Sequence, residues 1–190
     1  MKHTMKLLIV AAALFSGASH AEIRRTQVTT EWDPREVLDF TSLPFDRAIV
    51  RVKGDGSRKM AIFGDPHCPQ TKKVERELAK ITNITIYTFP GAFVGGQRSQ
   101  RDVQQVFCQA TNQARAKAWE SLVLGGKEPP SVPNCSDNQG EKIRASFGGL
   151  QSSVGPYQKI SPTMIFQNHL AFPGPLPRED IETMLDHKHE

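Results

Sequence analysis

Ala61-Ile62-Phe63-Gly64-Asp65-Pro66-His67-Cys68-Pro69-Gln70-Thr71 is the stretch on which the reading of this chain turns. An apolar β-forming run passes through a short junction into a helical pattern, and a cysteine stands at the joint. Pro69 has no N–H to leave unpaired and a backbone angle already suited to a first helical position. Cys68 therefore meets unpaired N–H groups and the positive end of the helix dipole, which both favour the thiolate. Lys72 and Lys73, one turn downstream, support the anion modestly, and a protonated His67 supports it more. The bland alternative for a free cysteine is an inert core position. The flanks His67, Pro69, Gln70 and Thr71 argue instead for a reactive thiol at a partly exposed loop–helix junction. Three residues on, where a second cysteine would close an intramolecular disulfide, the chain has Thr71.

Around this joint the pattern is mixed α and β. The helix after Pro69 carries Val74, Leu78 and Ile81 on one face. Lys72, Lys73, Glu75, Arg76, Glu77 and Lys80 read as its solvated surface. Upstream, 48–52 and 59–63 read as two strands of a hairpin around Gly54-Asp55-Gly56. Before them, 22–46 is a short polar segment in which Asp33-Pro34 predicts a helix start. Downstream, 84–89 is a strand, and 92–98 is a Gly-rich loop with exposed-looking Phe93 and Val94. Ser99 or Asp102 is a candidate cap for a helix through Cys108. After a break near Thr111-Asn112 a second helix runs past Trp119 and Leu122 to Gly125-Gly126. A further helix is expected over 138–150. Strands at 163–166 and 170–172 flank a turn at Asn168-His169, and a last helix covers 178–186.

Residues 1–21 read as a cleaved secretory signal: Lys2 and Lys6, an apolar run at 7–15, and small residues at Ser19-His20-Ala21. That run is too short to anchor in a bilayer, and no other segment approaches spanning length. The remaining 169 residues suit one domain. Of 24 Lys and Arg, two leave with the signal, so against 20 Asp and Glu the net charge is +2, no nucleic-acid signature. Cys68, Cys108 and Cys135 all remain, and an odd count in an oxidising compartment suggests one bridge and one exchanging thiol, with three pairings open. Asp65, His67 and Cys68 do not match a zinc spacing. Gly54-Asp55-Gly56 and Gly95-Gly96 lack phosphate-loop context, so neither metal nor cofactor is expected. His187-Lys188-His189 reads as a solvated tail.

Further motifs recur in order with the cysteine joint: Phe107-Cys108, 114–124, Asn134-Cys135, Ser161-Pro162-Thr163 and Phe172-Pro173-Gly174. Together, over about 48–185, they resemble the catalytic domain of the bacterial periplasmic disulfide isomerases of the DsbC/DsbG type. The resemblance implies an α/β, thioredoxin-like fold over 47–190 with a helical subdomain inserted at about 97–152. It implies Cys68 as nucleophile and Pro162 as a cis-proline facing it. Ser161 then offers its backbone to an extended substrate segment, a form of strand addition. It also places Cys108 and Cys135 on a structural disulfide, and Phe93 either toward substrate or in the core.

Two departures shape the expected function. With Thr71 in place of the second cysteine, Cys68 forms mixed disulfides that the substrate's own thiol, glutathione or a reducing partner protein must resolve. Thr71 itself either hydrogen-bonds the thiolate or lies on the helix surface. The 22–46 segment is too short for the dimerisation domain of such isomerases, so a monomer, or a dimer made by some other surface, is expected. The chain thus reads as a periplasmic thiol–disulfide interchange enzyme of the isomerase or reductase kind, working on exported proteins that bear thiols or disulfides. The competing reading is a redox-inactive chaperone or assembly factor that uses the same peptide-binding face.

Overall fold

The computed structural model describes residues 27–28, 35–36, 39–92, 94–136 and 161–187. In chain order its elements are β1 (Gln27–Val28), β2 (Arg35–Glu36), β3 (Ile49–Lys53), β4 (Arg58–Gly64), α1 (Pro69–Leu78) and β5 (Ile84–Pro90). There follow α2 (Gly96–Cys108), α3 (Asn112–Gly125), β6 (Thr163–Phe166), β7 (Ala171–Pro173) and α4 (Arg178–Asp186). The run that leads to Cys68 is β4, the central strand of a five-stranded sheet ordered β3-β5-β4-β6-β7. β4 lies parallel to β5 and antiparallel to β6. β3 and β7 close the two edges in antiparallel pairings.

The expected hairpin of β3 with β4 is not formed, because β5 lies between them. Nearly every residue of β5 is buried, on both faces, so it takes an inner place with a partner on each side. The helix α1 supplies the crossover that a parallel β4–β5 pair requires. The turn after β3 therefore passes over the start of β5. There the Arg58 N–H donates to the Asn83 carbonyl at 3.2 Å, and the Thr85 hydroxyl to the Gly56 carbonyl at 2.8 Å.

The helix expected from Asp33-Pro34 is also replaced, since Arg35–Glu36 pairs antiparallel with Gln27–Val28. The first helical turn begins instead at Asp39, whose carboxylate accepts the Thr41 N–H at 2.9 Å and its hydroxyl at 2.7 Å. A helix of one or two turns does not repay its nucleation cost unaided, and here a strand partner was at hand.

Alternation along β4 sorts the core into two layers. Ala61 and Phe63 join Phe89, Val103, Val106, Phe107, Trp119 and Leu122, beneath α2 and α3. Met60 and Ile62 join Val74, Leu78, Ile81, Ile86, Ile181 and Met184, beneath α1 and α4. The break between α2 and α3 falls at 109–111, where the Thr111 hydroxyl caps α3 by accepting the Ala114 N–H at 3.1 Å. These two helices occupy the region expected as an insertion. The helix expected over 138–150, Phe93, residues 1–21 and residues 188–190 lie outside the described residues. Among the described residues no helix is long and apolar enough to cross a membrane.

Candidate active site

Cys68 is the N-cap of α1, with extended backbone angles and Pro69 at the first helical position. Its own N–H donates to the Asp65 carbonyl at 3.1 Å, and its carbonyl accepts the Lys72 N–H at 3.1 Å. The thiol donates to the Ser161 carbonyl at 3.2 Å, and the Ser161-Pro162 peptide bond is cis. Pro69 and Gln70 are exposed as expected, but Cys68 is not, since only 5% of it is accessible. The 161–162 segment covers the sulfur from 93 positions away, a contact that the polar flanks of Cys68 could not announce. The sulfur is nevertheless set against a polar carbonyl rather than enclosed by hydrocarbon alone.

Thr71 is fully buried beneath this joint and is not on the helix surface. Its hydroxyl lies 3.0 Å from Ser161 Oγ, and Ser161 Oγ also accepts the Asp65 N–H at 2.9 Å. The methyl of Thr71 rests on Gly64, where an added Cβ would come within 2.7 Å of Thr71 Cγ2. Glycine at the end of β4 thus lets the start of α1 approach the sheet closely. Thr71 pins the 161–162 segment, and the sulfur has a different partner in the Ser161 carbonyl.

The loop before Cys68 is held from the other side by Asp65, which is inaccessible to solvent. Asp65 Oδ1 accepts the His67 N–H and the Ser99 hydroxyl, both at 2.7 Å. Oδ2 accepts the Val94 N–H at 2.7 Å and the Gly95 N–H at 3.3 Å. His67 Nε2 lies 2.6 Å from Asp102 Oδ2. Ser99 and Asp102 therefore do not cap α2, which starts at Gly96; both are buried within the helix and reach to the cysteine loop. They share the i, i+3, i+4 stripe with Val103, Val106 and Phe107, and polar residues on a buried stripe need partners. That stripe was the available signal, and the capping preference of serine and aspartate masked it.

Glu75, expected on the solvated face of α1, is also buried. Its carboxylate accepts Arg51 Nη1 at 2.8 Å, Arg51 Nη2 at 2.9 Å and Trp119 Nε1 at 2.8 Å. Arg51 also donates to the Thr88 hydroxyl at 2.8 Å and reaches Glu120 at 3.5 Å. Burial works against the charged guanidinium, but Glu75 and then Glu120 outweigh it and hold Arg51 above its ordinary value. Among the described residues Arg51 Nε is buried without a hydrogen-bond partner. The network ties β3, α1, β5 and α3 together under the cysteine-bearing helix. Farther along α2, Cys108 and Cys135 are bonded with their Cα atoms 5.8 Å apart. Around them Gln104 Nε2 donates to the Cys135 carbonyl at 2.8 Å, and Gln105 Oε1 accepts the Val132 N–H at 2.7 Å. Among the described residues no group of three or more His, Cys, Asp or Glu is placed to hold a metal ion.

A mixed sheet whose central strand delivers a cysteine to a helix start, opposite a cis-proline segment, defines the thioredoxin-like class of domain. The thioredoxin-like domain family matches residues 45–189, and the chain belongs to it. Within that class the chain is similar to proteins described as probable thiol:disulfide interchange protein DsbC. It is 33% identical over 164 residues to the one from Bordetella parapertussis and 31% identical over 164 residues to the one from Bordetella pertussis. Each match covers 86% of this chain and 54% of the relative, so the chain spans about half the length of these curated relatives. A crystal structure of a disulfide interchange protein from Neisseria gonorrhoeae is 32% identical. It matches with a TM-score of 0.63, over 75% of this chain and 96% of that one. The catalytic domain of Proteus mirabilis ScsC shares the fold at 16% identity, with a TM-score of 0.58 over 73% of this chain and 87% of that one.

Proposed function

We propose that this chain exchanges thiols and disulfides through the single sulfur of Cys68. The observation that carries the reading is the position of that sulfur: at the start of α1, 3.2 Å from the carbonyl that precedes cis-Pro162. In the reaction Cys68 gives its proton to solvent, and the thiolate forms a bond to one sulfur of a substrate disulfide. The substrate S–S bond breaks, and its second sulfur leaves as a thiolate that takes up a proton. Pro162 and the backbone of Ser161 position the substrate segment beside the sulfur.

Resolution then comes from outside the site. Where the substrate's own thiol attacks the mixed disulfide, the product is an isomerised disulfide with no net redox change. Where glutathione or a reducing partner protein attacks, one thiol bonds to the Cys68 sulfur and releases the substrate's remaining thiol, and a second thiol then frees Cys68, so the substrate is reduced and the two thiols leave joined as a disulfide. With Thr71 in the second position, Cys68 has no neighbouring thiol with which to store a disulfide, so the chain is not an oxidant. The substrates are exported proteins bearing thiols or disulfides, met in the periplasm after removal of residues 1–21. The similarity to proteins described as disulfide interchange proteins supports this assignment.

Refolding of a scrambled multi-disulfide substrate, with and without glutathione, tests it. The wild type is expected to speed recovery over Cys68→Ala when glutathione is present. Equal recovery by the two proteins in both conditions would overturn the reading.

The 5% accessibility of Cys68 favours a second reading, a redox-inactive chaperone or assembly factor that uses the same face. It predicts that Cys68→Ala binds unfolded exported proteins as tightly as the wild type and that no mixed disulfide accumulates.

A further inference from the structure

Cys108 and Cys135 are joined, yet the segment that carries Cys135 is also held to α2 by contacts that use neither sulfur. α3 ends at Gly126, whose φ of 65° turns the chain back, and the Gly126 N–H donates to the Leu122 carbonyl at 3.0 Å. From there the chain reaches Cys135 without a helix or strand of its own. Three glutamines at the end of α2 receive it. Gln109 Nε2 donates to the Pro130 carbonyl at 2.9 Å, Gln105 Oε1 accepts the Val132 N–H at 2.7 Å, and Gln104 Nε2 donates to the Cys135 carbonyl at 2.8 Å. Gln109 Nε2 also donates to the Gln105 carbonyl at 3.0 Å, which fixes it against its own helix. Pro129, Pro130 and Pro133 have fixed backbone angles, so the segment gives up little freedom when it is seated. Asn134 then turns through a left-handed conformation, φ 54°, immediately before Cys135.

We propose that Gln104, Gln105 and Gln109 are positioning residues that seat 130–135 on α2 whether or not the bond is made, and so direct Cys135 to Cys108 rather than to Cys68. The chain has three cysteines, and a thiol at Cys68 competes for either partner during oxidation. A segment already held by hydrogen bonds keeps Cys135 at a high effective concentration beside Cys108, the last residue of α2. With glutathione disulfide as oxidant, the thiolate of Cys108 or Cys135 bonds to one glutathione sulfur, and the other glutathione leaves and takes up a proton. The facing thiol gives up its proton and attacks the protein sulfur of that mixed disulfide, and the second glutathione leaves as a thiol. Two protein thiols are oxidised, and one glutathione disulfide is reduced to two thiols. The proposal concerns the bridge alone and does not depend on exchange by Cys68.

Two measurements on the full chain test it. In Cys108→Ala with Cys135→Ala the bond is absent, and the Val132 amide is expected to exchange with deuterium at least about tenfold more slowly than an open amide. Gln104 and Gln109 bond to other groups of the segment, so adding Gln104→Ala and Gln109→Ala tests the seat as a whole and is expected to remove most of that protection. The second measurement is reoxidation of the reduced, folded chain in glutathione and glutathione disulfide, with the products mapped by mass spectrometry. In the wild type the Cys108–Cys135 bond is expected to form first. Gln104→Ala, Gln105→Ala and Gln109→Ala together are expected to slow it by about tenfold or more and to raise the share of chains in which Cys68 is paired. An open Val132 amide in the bond-free chain, protection unmoved by the Gln104 and Gln109 substitutions, or an unchanged rate or pairing in the triple variant would each overturn the proposal. Circular dichroism shows that each variant is folded, and where the triple variant is not, Gln104→Ala with Gln109→Ala replaces it in the reoxidation.

Discussion

Thr71 and Ser161, 90 residues apart, share a 3.0 Å contact between hydroxyls that fastens the start of α1 to the segment before cis-Pro162. Ser161 also offers its carbonyl to the Cys68 thiol at 3.2 Å. One residue therefore receives the Cys68 sulfur and the side chain that stands where a second sulfur would be. On the proposed reading the site combines a nucleophile with a structural lock, with no resolving thiol of its own.

Thr71→Cys puts a thiol in that buried position, three residues after Cys68. An intramolecular disulfide is expected to form under oxidising conditions, read as protection of both new partners from alkylation in mass spectrometry. Mixed disulfides with substrate should then decay faster by about tenfold or more without added thiol, because the resolving attack becomes intramolecular. Failure of the disulfide to form in a folded variant would show that position 71 does not face the sulfur.

Glu75 is the centre of the network under α1, and Glu75→Gln leaves Arg51 charged, buried and short of its main anion. Urea unfolding should show a loss of about 3 kcal/mol, the usual cost of breaking a buried pair on one side. The double variant Arg51→Met with Glu75→Leu removes both charges and should recover most of that loss. Equal losses in single and double variants would mean that packing, not charge, dominates there.

Cys108 and Cys135 are 27 positions apart, and the bond between them restricts the unfolded chain. Replacing both by alanine is expected to cost about 3–4 kcal/mol on the chain-entropy account. Cys68 should alkylate at an unchanged rate in the folded double variant, since Cys108 ends α2 while the contacts to the cysteine loop come from its first half. The readouts are urea unfolding and alkylation kinetics.

Asp39 is held below its ordinary carboxylate value chiefly by the Thr41 hydroxyl, then by the Thr41 N–H. Its folded value is therefore below its unfolded one. The stability it contributes is present above the unfolded value and is lost as pH falls through the folded one. At pH 7 Asp39→Ala should cost about 0.5 kcal/mol, at the low end for a cap because the carboxylate is half-exposed. The difference from wild type should shrink as pH falls through and below the ordinary carboxylate range. A pH-independent difference would point to packing rather than charge.

The joint at Cys68 was legible from its own residues. An apolar strand, a proline at the first helical position and apolar residues at Val74, Leu78 and Ile81 set local backbone angles, and the structure has β4 and α1 in those places. The break between α2 and α3 was equally local, because Thr111 caps whichever helix follows it. The β3–β4 hairpin was misread for a related reason. A turn sequence specifies that the chain reverses, but not whether another strand will enter the gap.

Backbone angle and periodicity are properties of neighbours along the chain, and residue types alone carried them. Polar partnerships are different. Glu75, Ser99 and Asp102 each read as an ordinary surface or capping residue until the helices packed. Only the crossing of α1, α2 and α3 over the sheet removed them from water and obliged them to find Arg51, Asp65 and His67. Burial of a charged or hydroxyl group is decided by what lies across from it. For this chain those facing groups come from segments 24 to 93 positions away, the longest being Ser161 over the sulfur of Cys68.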